Sequence, residues 1–342
     1  MRPLRLLGLL GLSFSLLSAP MISQAAEEVN LYSARIESLI KPMLDRFTEE
    51  TGIQVNMVTG NADELLNRLQ NEGRNSPADL LLTTDAGRLH RAHQAELVQA
   101  VQSDVLRDRI PAAYRDPDGY WFGLSLRARP IMYVKGKVDP AELSTYENLA
   151  DPKWKNQICI RSSSNIYNQS LVASMIDANG LEATEAWAND FVKNFAQPPR
   201  GGDRDQIKAA AAGQCNIAVA NTYYLAGMFN SDDAVEREAA SKMGVFWPNQ
   251  DDRGTHVNIS GAAVTKAAKN RENAIKLMEF LTSDEAQHWY AEVNGEYPVV
   301  DGVASSALLQ KWGEFKADPL NMAILGDNNA EALKLMDRAG WQ

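Results

Sequence analysis

The sequence predicts an α/β chain folded as two lobes, each a sheet flanked by helices, joined by extended crossovers. Three observations carry this. Strand-like and helix-like stretches alternate with little irregular padding from Val29 onward. Two stretches, 120–134 and 244–259, read as extended yet interrupted, as a chain passing between lobes would be. The roughly 317 residues left after an N-terminal leader exceed what one hydrophobic core usually supports.

The elements follow in order. Val29-Asn30-Leu31-Tyr32 is a first strand, and Ile36, Leu39, Ile40, Met43, Leu44 and Phe47 mark one face of a helix. Pro42 is tolerable only near that helix's first turn. Gly52 stops the helix, and Ile53, Val55 and Met57 alternate as a second strand. A helix from Ala62 ends at Gly73, Ala78 to Thr83 form a buried strand, and 86–96 is again helical. This β-α-β-α-β order predicts a parallel sheet. A second unit opens with the strand Gln157-Ile158-Cys159-Ile160, a Ser/Asn loop and a helix beginning at Ile166. An amphipathic helix over 182–195 follows, then one capped by Asp203 and closed by Gly213. The strand Asn216-Ile217-Ala218-Val219-Ala220 leads into Asn221-Thr222-Tyr223-Tyr224, which opens another helix. Helices over 273–281, 284–293 and 330–338 complete the chain. The lobes are expected at 26–125 plus 250–300 and at 126–249 plus 301–342. Two α/β lobes on extended crossovers describe the hinged clamshell of exported binding proteins (type II-like), with the ligand in the cleft at the strands' carboxyl ends.

Arg2 and Arg5 precede an apolar run over 6–17, and Ser23-Gln24-Ala25 supplies small residues before a cut. Residues 1–25 are therefore expected to be a secretory signal peptide, placing the mature protein in the periplasm. No later stretch is long and apolar enough to cross a bilayer, so no direct membrane insertion is expected. Of 34 basic and 44 acidic residues the leader removes two basic ones, leaving a net charge of −12. That balance disfavours nucleic acid and anionic membranes as partners. Cys159 and Cys215, in or beside strands of one lobe, leave a disulfide and a pair of buried thiols both open.

Tyr167, Tyr223 and Tyr224 carry the chemistry. Each lies just past a strand, a polar cap and the first residue of a helix, at the carboxyl edge of one sheet. Neighbouring side chains diverge far less in a first helical turn than in a strand, so two adjacent phenols can converge there. Helix N-termini favour negative charge, and a bound multivalent cation supplies the rest of what ionises a phenol near neutral pH. Three hard anionic oxygens suit ferric iron, whereas zinc favours nitrogen and sulfur. Stacking of a sugar or aromatic ligand on the tyrosine faces competes with that reading.

On these residues the chain resembles a periplasmic ferric-iron-binding protein of an ABC transporter, of the bacterial transferrin-like, tyrosine-rich branch. The resemblance runs over nearly the whole mature chain, through Thr51-Gly52-Ile53, Ser76-Pro77-Ala78-Asp79, Trp121-Phe122-Gly123, Arg127-Ala128-Arg129 and Asp151-Pro152-Lys153-Trp154-Lys155. It continues through Arg161-Ser162-Ser163-Ser164, Tyr167-Asn168-Gln169-Ser170, Asn221-Thr222-Tyr223-Tyr224 and Asn258-Ile259-Ser260-Gly261. It implies Fe(III) held by Tyr167, Tyr223 and Tyr224, with Arg127 facing the metal or a bound carbonate-like anion and Arg129 as the nearby substitute. It implies delivery to an inner-membrane ABC permease by a monomer that is not an enzyme.

Two departures shape the expected site. Family members place His or Tyr, or both, after the first strand; here Tyr32-Ser33-Ala34-Arg35 is followed by Ile36, which cannot ligate, and Glu37, which could offer a carboxylate. A Glu used by another branch after the third strand is replaced by Thr84, followed by Asp85, a minor candidate. The second lobe is therefore expected to hold most of the metal, with water or a small anion completing the site. Arg35 is a second anion contact or a surface ion pair. The rival classes are a binding protein for a polyamine, organic phosphate or sugar, and an enzyme. Against an enzyme, no Ser/His/Asp set, cysteine nucleophile or paired carboxylate stands at a motif spacing.

Overall fold

The computed structural model describes residues 27–342; the expected signal peptide, residues 1–25, lies outside them. Nine strands form two sheets among these residues: β1 (Glu28–Ser33), β2 (Gln54–Thr59), β3 (Leu80–Thr84), β4 (Phe122–Ala128), β5 (Ile131–Val134), β6 (Ile158–Cys159), β7 (Ile217–Val219), β8 (Met243–Phe246) and β9 (Val257–Val264). The first lobe's sheet has the order β2-β1-β3-β9-β4, and the second's β6-β7-β5-β8. The chain leaves the first sheet between β4 and β5, at Arg129 and Pro130, and returns between β8 and β9.

The first sheet is mixed rather than wholly parallel. β1 pairs in parallel with β2 and β3, as the β-α-β-α-β pattern requires, but β9 runs antiparallel to both β3 and β4. The reason is the crossovers. A strand returning from the other lobe must enter its sheet from the cleft edge, where β3 and β4 end. The second sheet repeats the rule: β6 and β7 are parallel, and β5, arriving from the cleft, is antiparallel to β7 and β8.

Alternation along each central strand feeds two apolar layers. Leu80 and Leu82 of β3 join Val29, Leu31 and Phe47 on one face of the first sheet. Leu81 joins Tyr32, Leu65 and Leu89 on the other. Such a sheet needs helices on both faces, which Lys41–Thr51 and Ala62–Glu72 supply. The helix expected from Ile36 starts only at Lys41, after a short 3-10 turn, Glu37–Leu39. Pro42, inside the first turn, has no N–H and would clash with the carbonyl four residues back, so the helix cannot extend toward Ile36. Ile36 is left 70% exposed. Gly52 ends the helix in the left-handed region, at φ 75°.

Cys159 and Cys215 are joined by a disulfide across the edge of the second sheet, with Cα atoms 6.0 Å apart. It closes a loop of 56 residues that spans the tyrosine-bearing helix Ile166–Asn179. Loop-closure entropy for that length amounts to about 4 kcal/mol. Replacing both cysteines by serine is expected to lower unfolding stability by roughly this much. Urea melts of oxidised, reduced and substituted protein check it: the reduced and substituted proteins should melt alike, and both below the oxidised one.

Near its end the chain runs between the lobes. Asn321 donates to Ala112 O at 2.8 Å in the first lobe, while Asn329 donates to Gln169 Oε1 at 3.1 Å on the helix Ile166–Asn179. Between them the helix Ala323–Asp327 packs on both Ala86–Gln94 and Ile166–Asn179. A five-residue helix is too short to show a periodicity from which such a strap could be read.

Candidate functional site

β6 and β7 lie side by side, with Ile158 opposite Ile217 and Cys159 opposite Ala218. Their carboxyl ends are therefore neighbours, and each leads into a helix. In Ile166–Asn179 the Asn165 side chain caps the first turn by accepting from Tyr167 N, and Tyr167 is the second helical residue. In Thr222–Phe229, Tyr223 and Tyr224 are the second and third. Two first turns thus aim three phenols at one place. The Tyr223 hydroxyl donates to the Tyr167 oxygen at 3.4 Å, and the Tyr223 and Tyr224 rings lie 4.2 Å apart, tilted by 33°. The sequence-predicted trio is brought together.

Arg127, at the end of β4 in the first lobe, reaches across to it. The guanidinium carbon sits 5.1 Å from the Tyr167 ring centre and 5.8 Å from that of Tyr223. Arg127 is 1% exposed, yet among the described residues only its Nη2 is bonded, to Ile259 O at 2.6 Å, and Nε and Nη1 have no partner. A buried cation with two idle donors, facing phenols, favours anionic oxygen in front of it.

The phenols respond unequally. Burial raises Tyr167, but the Arg127 charge and hydrogen bonds from Tyr223 and Thr84 outweigh it and hold Tyr167 below the usual tyrosine range. Tyr223 is pushed well up by burial and by its two tyrosine neighbours, and Tyr224 is raised by burial, Tyr167 and Asp203. Tyr167 is accordingly the first to ionise, with Tyr223 keeping its proton and donating it. A metal must displace phenol protons, those of Tyr223 and Tyr224 against an upward shift.

The remaining candidates are placed differently. Arg129 is buried with both terminal nitrogens bonded within the second lobe, to Asp203, Asn221, Asn168 and Val219, so no terminal nitrogen is left free to face an anion. Arg35 forms neither a surface pair nor an open contact. Its Nη2 is 2.5 Å from Glu296 Oε2 with both side chains buried, and its guanidinium lies over the Tyr290 ring. Glu37 stands exposed on the 3-10 turn, and among the described residues its side chain has no hydrogen-bond or ion-pair partner. Asp85 is fully buried and accepts from Gly87 N, Ser170 Oγ and Asn258 Nδ2, which occupies its carboxylate. Asp203 is not a cap: Gly202 is, and Asp205 accepts from its N–H at 2.7 Å. Asp203 turns inward to Arg129 instead.

Sequence reasoning missed two neighbours of Tyr167, Arg161 and Arg88, and named a third, Thr84, only as standing where another branch has a ligand. The guanidinium of Arg161 lies 5.7 Å from the Tyr167 ring centre, and Thr84 and the Arg88 charge, both from the first lobe, help to lower the Tyr167 pKa. Arg161 could have been found, since it directly follows the strand that leads to Tyr167. Arg88 could not, because it meets Tyr167 only through the packing of one lobe on the other.

Among the described residues no group of three or more His, Cys, Asp or Glu side chains is placed to hold a metal ion. The donors gathered at the seam are phenols beside guanidinium groups. Such a donor set suits a hard, highly charged cation, and its charge balance leaves room for a small anion at Arg127.

Comparison with known proteins agrees in scale. A family model described as bacterial extracellular solute-binding protein matches residues 42–317. The chain is similar to Iron uptake protein A1 of Synechocystis sp., 52% identical over 92% of this chain and 88% of that one. It is also similar to the Fe(3+)-binding periplasmic protein of Serratia marcescens, 29% identical over 97% and 96%. Among solved structures, FutA (IdiA) of Trichodesmium in complex with iron and citrate ligands superposes with a TM-score of 0.90 at 52% identity, covering 92% of this chain and all of that one. The two-lobe fold, the matched span and these relatives together establish that the chain belongs to the bacterial extracellular solute-binding proteins, alongside their ferric-iron-binding members.

Proposed function

We propose that this chain captures Fe(III) in the seam between its lobes through the phenolates of Tyr167, Tyr223 and Tyr224. The observation that carries the reading is the convergence of three phenols from two neighbouring helix starts beside a buried Arg127 with two unpaired nitrogens. The names of its relatives, among them an iron uptake protein and a structure holding iron and citrate, support iron as cargo. Arg127 faces a small anion such as carbonate, which completes the coordination that no first-lobe carboxylate supplies. Glu37, exposed on its turn, stays outside the ligand set. The protein works as an exported monomer in the periplasm and hands iron to an inner-membrane ABC permease. Release follows reduction, because Fe(II) is a poorer match for hard anionic oxygen, or protonation of the phenolates.

A visible phenolate-to-iron charge-transfer band on adding ferric citrate tests this. A colourless mixture sinks it, and favours a solute stacked on the tyrosine faces. The pH dependence follows from the proton bookkeeping. Tyr223 and Tyr224 hold their protons above the normal range, so binding must expel them, and apparent affinity should rise with pH by about two to three log units per pH unit near neutrality. Competition titrations against citrate across pH 6–8, corrected for the chelator's own protonation, measure that slope. A flat profile would exclude phenolate ligation.

A further inference from the structure

We propose that Arg129 and Asp203 form a positioning pair that holds the two tyrosine-bearing junctions in register and ties them to the hinge. The inference rests on the phenolate site above and adds residues that touch neither the metal nor its ligands' oxygens.

The pair is buried, 1% exposed at Arg129 and 0% at Asp203. One fork of the guanidinium donates to Asp203 Oδ2 at 2.8 Å and Asn221 Oδ1 at 3.0 Å. The other donates to Asn168 Oδ1 at 2.6 Å and Val219 O at 3.2 Å. Asn168 is the residue after Tyr167, and Asn221 is the N-cap of the helix that opens with Tyr223 and Tyr224. Asp203 closes the circuit, because the oxygen that takes Arg129 also accepts from Asn221 N at 3.0 Å. One planar group therefore spans both helix starts, and only a guanidinium presents donors in a fixed fork able to do so. The Asn168 amide adds a bond to Arg161 O at 2.7 Å, carrying the same network to the arginine beside Tyr167.

The backbone of Arg129 supplies the tie to the hinge. It lies in the first crossover, between β4 and β5. Its N–H donates to His256 O at 3.1 Å in the second crossover, and its carbonyl accepts from Tyr146 Oη at 2.7 Å. That same hydroxyl accepts from His256 N at 3.1 Å. The crossover between β4 and β5, the crossover between β8 and β9 and both tyrosine junctions thus meet at one residue. A buried ion pair is a weak source of stability compared with apolar packing. Among the described residues Arg129 Nε and Asp203 Oδ1 have no hydrogen-bond partner, so this pair fixes geometry through Asp203 Oδ2 and the two terminal nitrogens of Arg129, all of which are bonded. Here the geometry fixed is that of the two helix starts that carry the phenols.

Loss of an outer partner of a metal site costs about 10–100-fold in affinity. Arg129→Lys keeps the charge but not the fork, whereas Asn168→Ala and Asn221→Ala each remove one acceptor and leave the ion pair whole. Each variant, folded as judged by its melting curve, is loaded with ferric citrate. Its phenolate-to-iron absorption maximum and its iron retention against citrate are compared with those of the unsubstituted protein. The expected result for Arg129→Lys is a displaced maximum with iron held about 10–100-fold less tightly, and a smaller change of the same sign for the two alanine variants. Unchanged maxima with affinities within about twofold overturn the proposal, whatever happens to the melting temperature. Should Arg129→Lys not fold, the alanine variants decide on the same readouts. If the unsubstituted protein gives no band, it is the phenolate site that fails, whereas a normal band unmoved by the variants removes only the positioning role.

Discussion

Replacing Tyr223 and Tyr224 together by phenylalanine is expected to abolish Fe(III) retention against citrate, while the apo protein folds as before. Both residues belong to one first helical turn and contribute two of the three phenol oxygens at the seam. Removing an outer partner of a metal typically costs up to about 100-fold, so removing two inner oxygens must cost far more. Phenylalanine keeps the ring, and with it the contact between the two rings at 4.2 Å, so packing is preserved. Taking a hydroxyl from a half-buried tyrosine leaves no stranded polar partner except at Tyr167, whose oxygen loses the donor from Tyr223. Tyr167→Phe alone should be the most damaging single change, because Tyr167 is the phenol that ionises most readily. Competition against citrate measures each loss; a double variant that still holds iron normally would remove these residues from the site.

The second large effect has opposite signs in its two readouts. Arg127→Met should weaken iron binding by about 10–100-fold, since the cation that lowers Tyr167 and faces the anion is gone. The same change should leave the stability of the apo protein unaltered or raise it, by up to about 4 kcal/mol, as when buried charge gives way to well-packed apolar side chains. Arg127 is 1% exposed with two nitrogens unpaired, so its burial is a cost the apo fold carries. Against the gain stands the Ile259 carbonyl, which loses its donor at a cost of about 1 kcal/mol. Urea unfolding of the iron-free variant gives the first quantity and citrate competition the second. A variant that loses several kcal/mol of apo stability would mean that Arg127 is structural and not held in reserve for ligand.

What was legible in the sequence was what local pattern encodes. The alternation of Leu80, Leu81 and Leu82 with the helical stretches around them announced a two-faced sheet, and the interrupted extended stretches marked the crossovers. Tyr167 and Tyr223 were legible because strand, cap and first turn are neighbours along the chain, and neighbours in sequence share a register. The antiparallel β9 was not legible, since its direction depends on where the returning chain enters the sheet. Arg129 illustrates the same limit. Alternation with Arg127 along the crossover suggested a cleft residue, but four acceptors from distant segments decide where its guanidinium points. Arg35 is similar, because the buried Glu296 that claims it stands 261 residues away. Pro42 was legible in kind, yet its consequence, an exposed Ile36 and a helix begun at Lys41, needed the backbone to be followed.

The central claim is that one ferric ion sits between three phenolate oxygens of the second lobe, and anomalous diffraction from crystals loaded with ferric citrate addresses it most directly. The account expects a single iron peak within bonding distance of the Tyr167, Tyr223 and Tyr224 oxygens, with anion density in front of Arg127 and none bridging to Glu37. An iron peak elsewhere, or one bonded to fewer than two of these phenols, would contradict it.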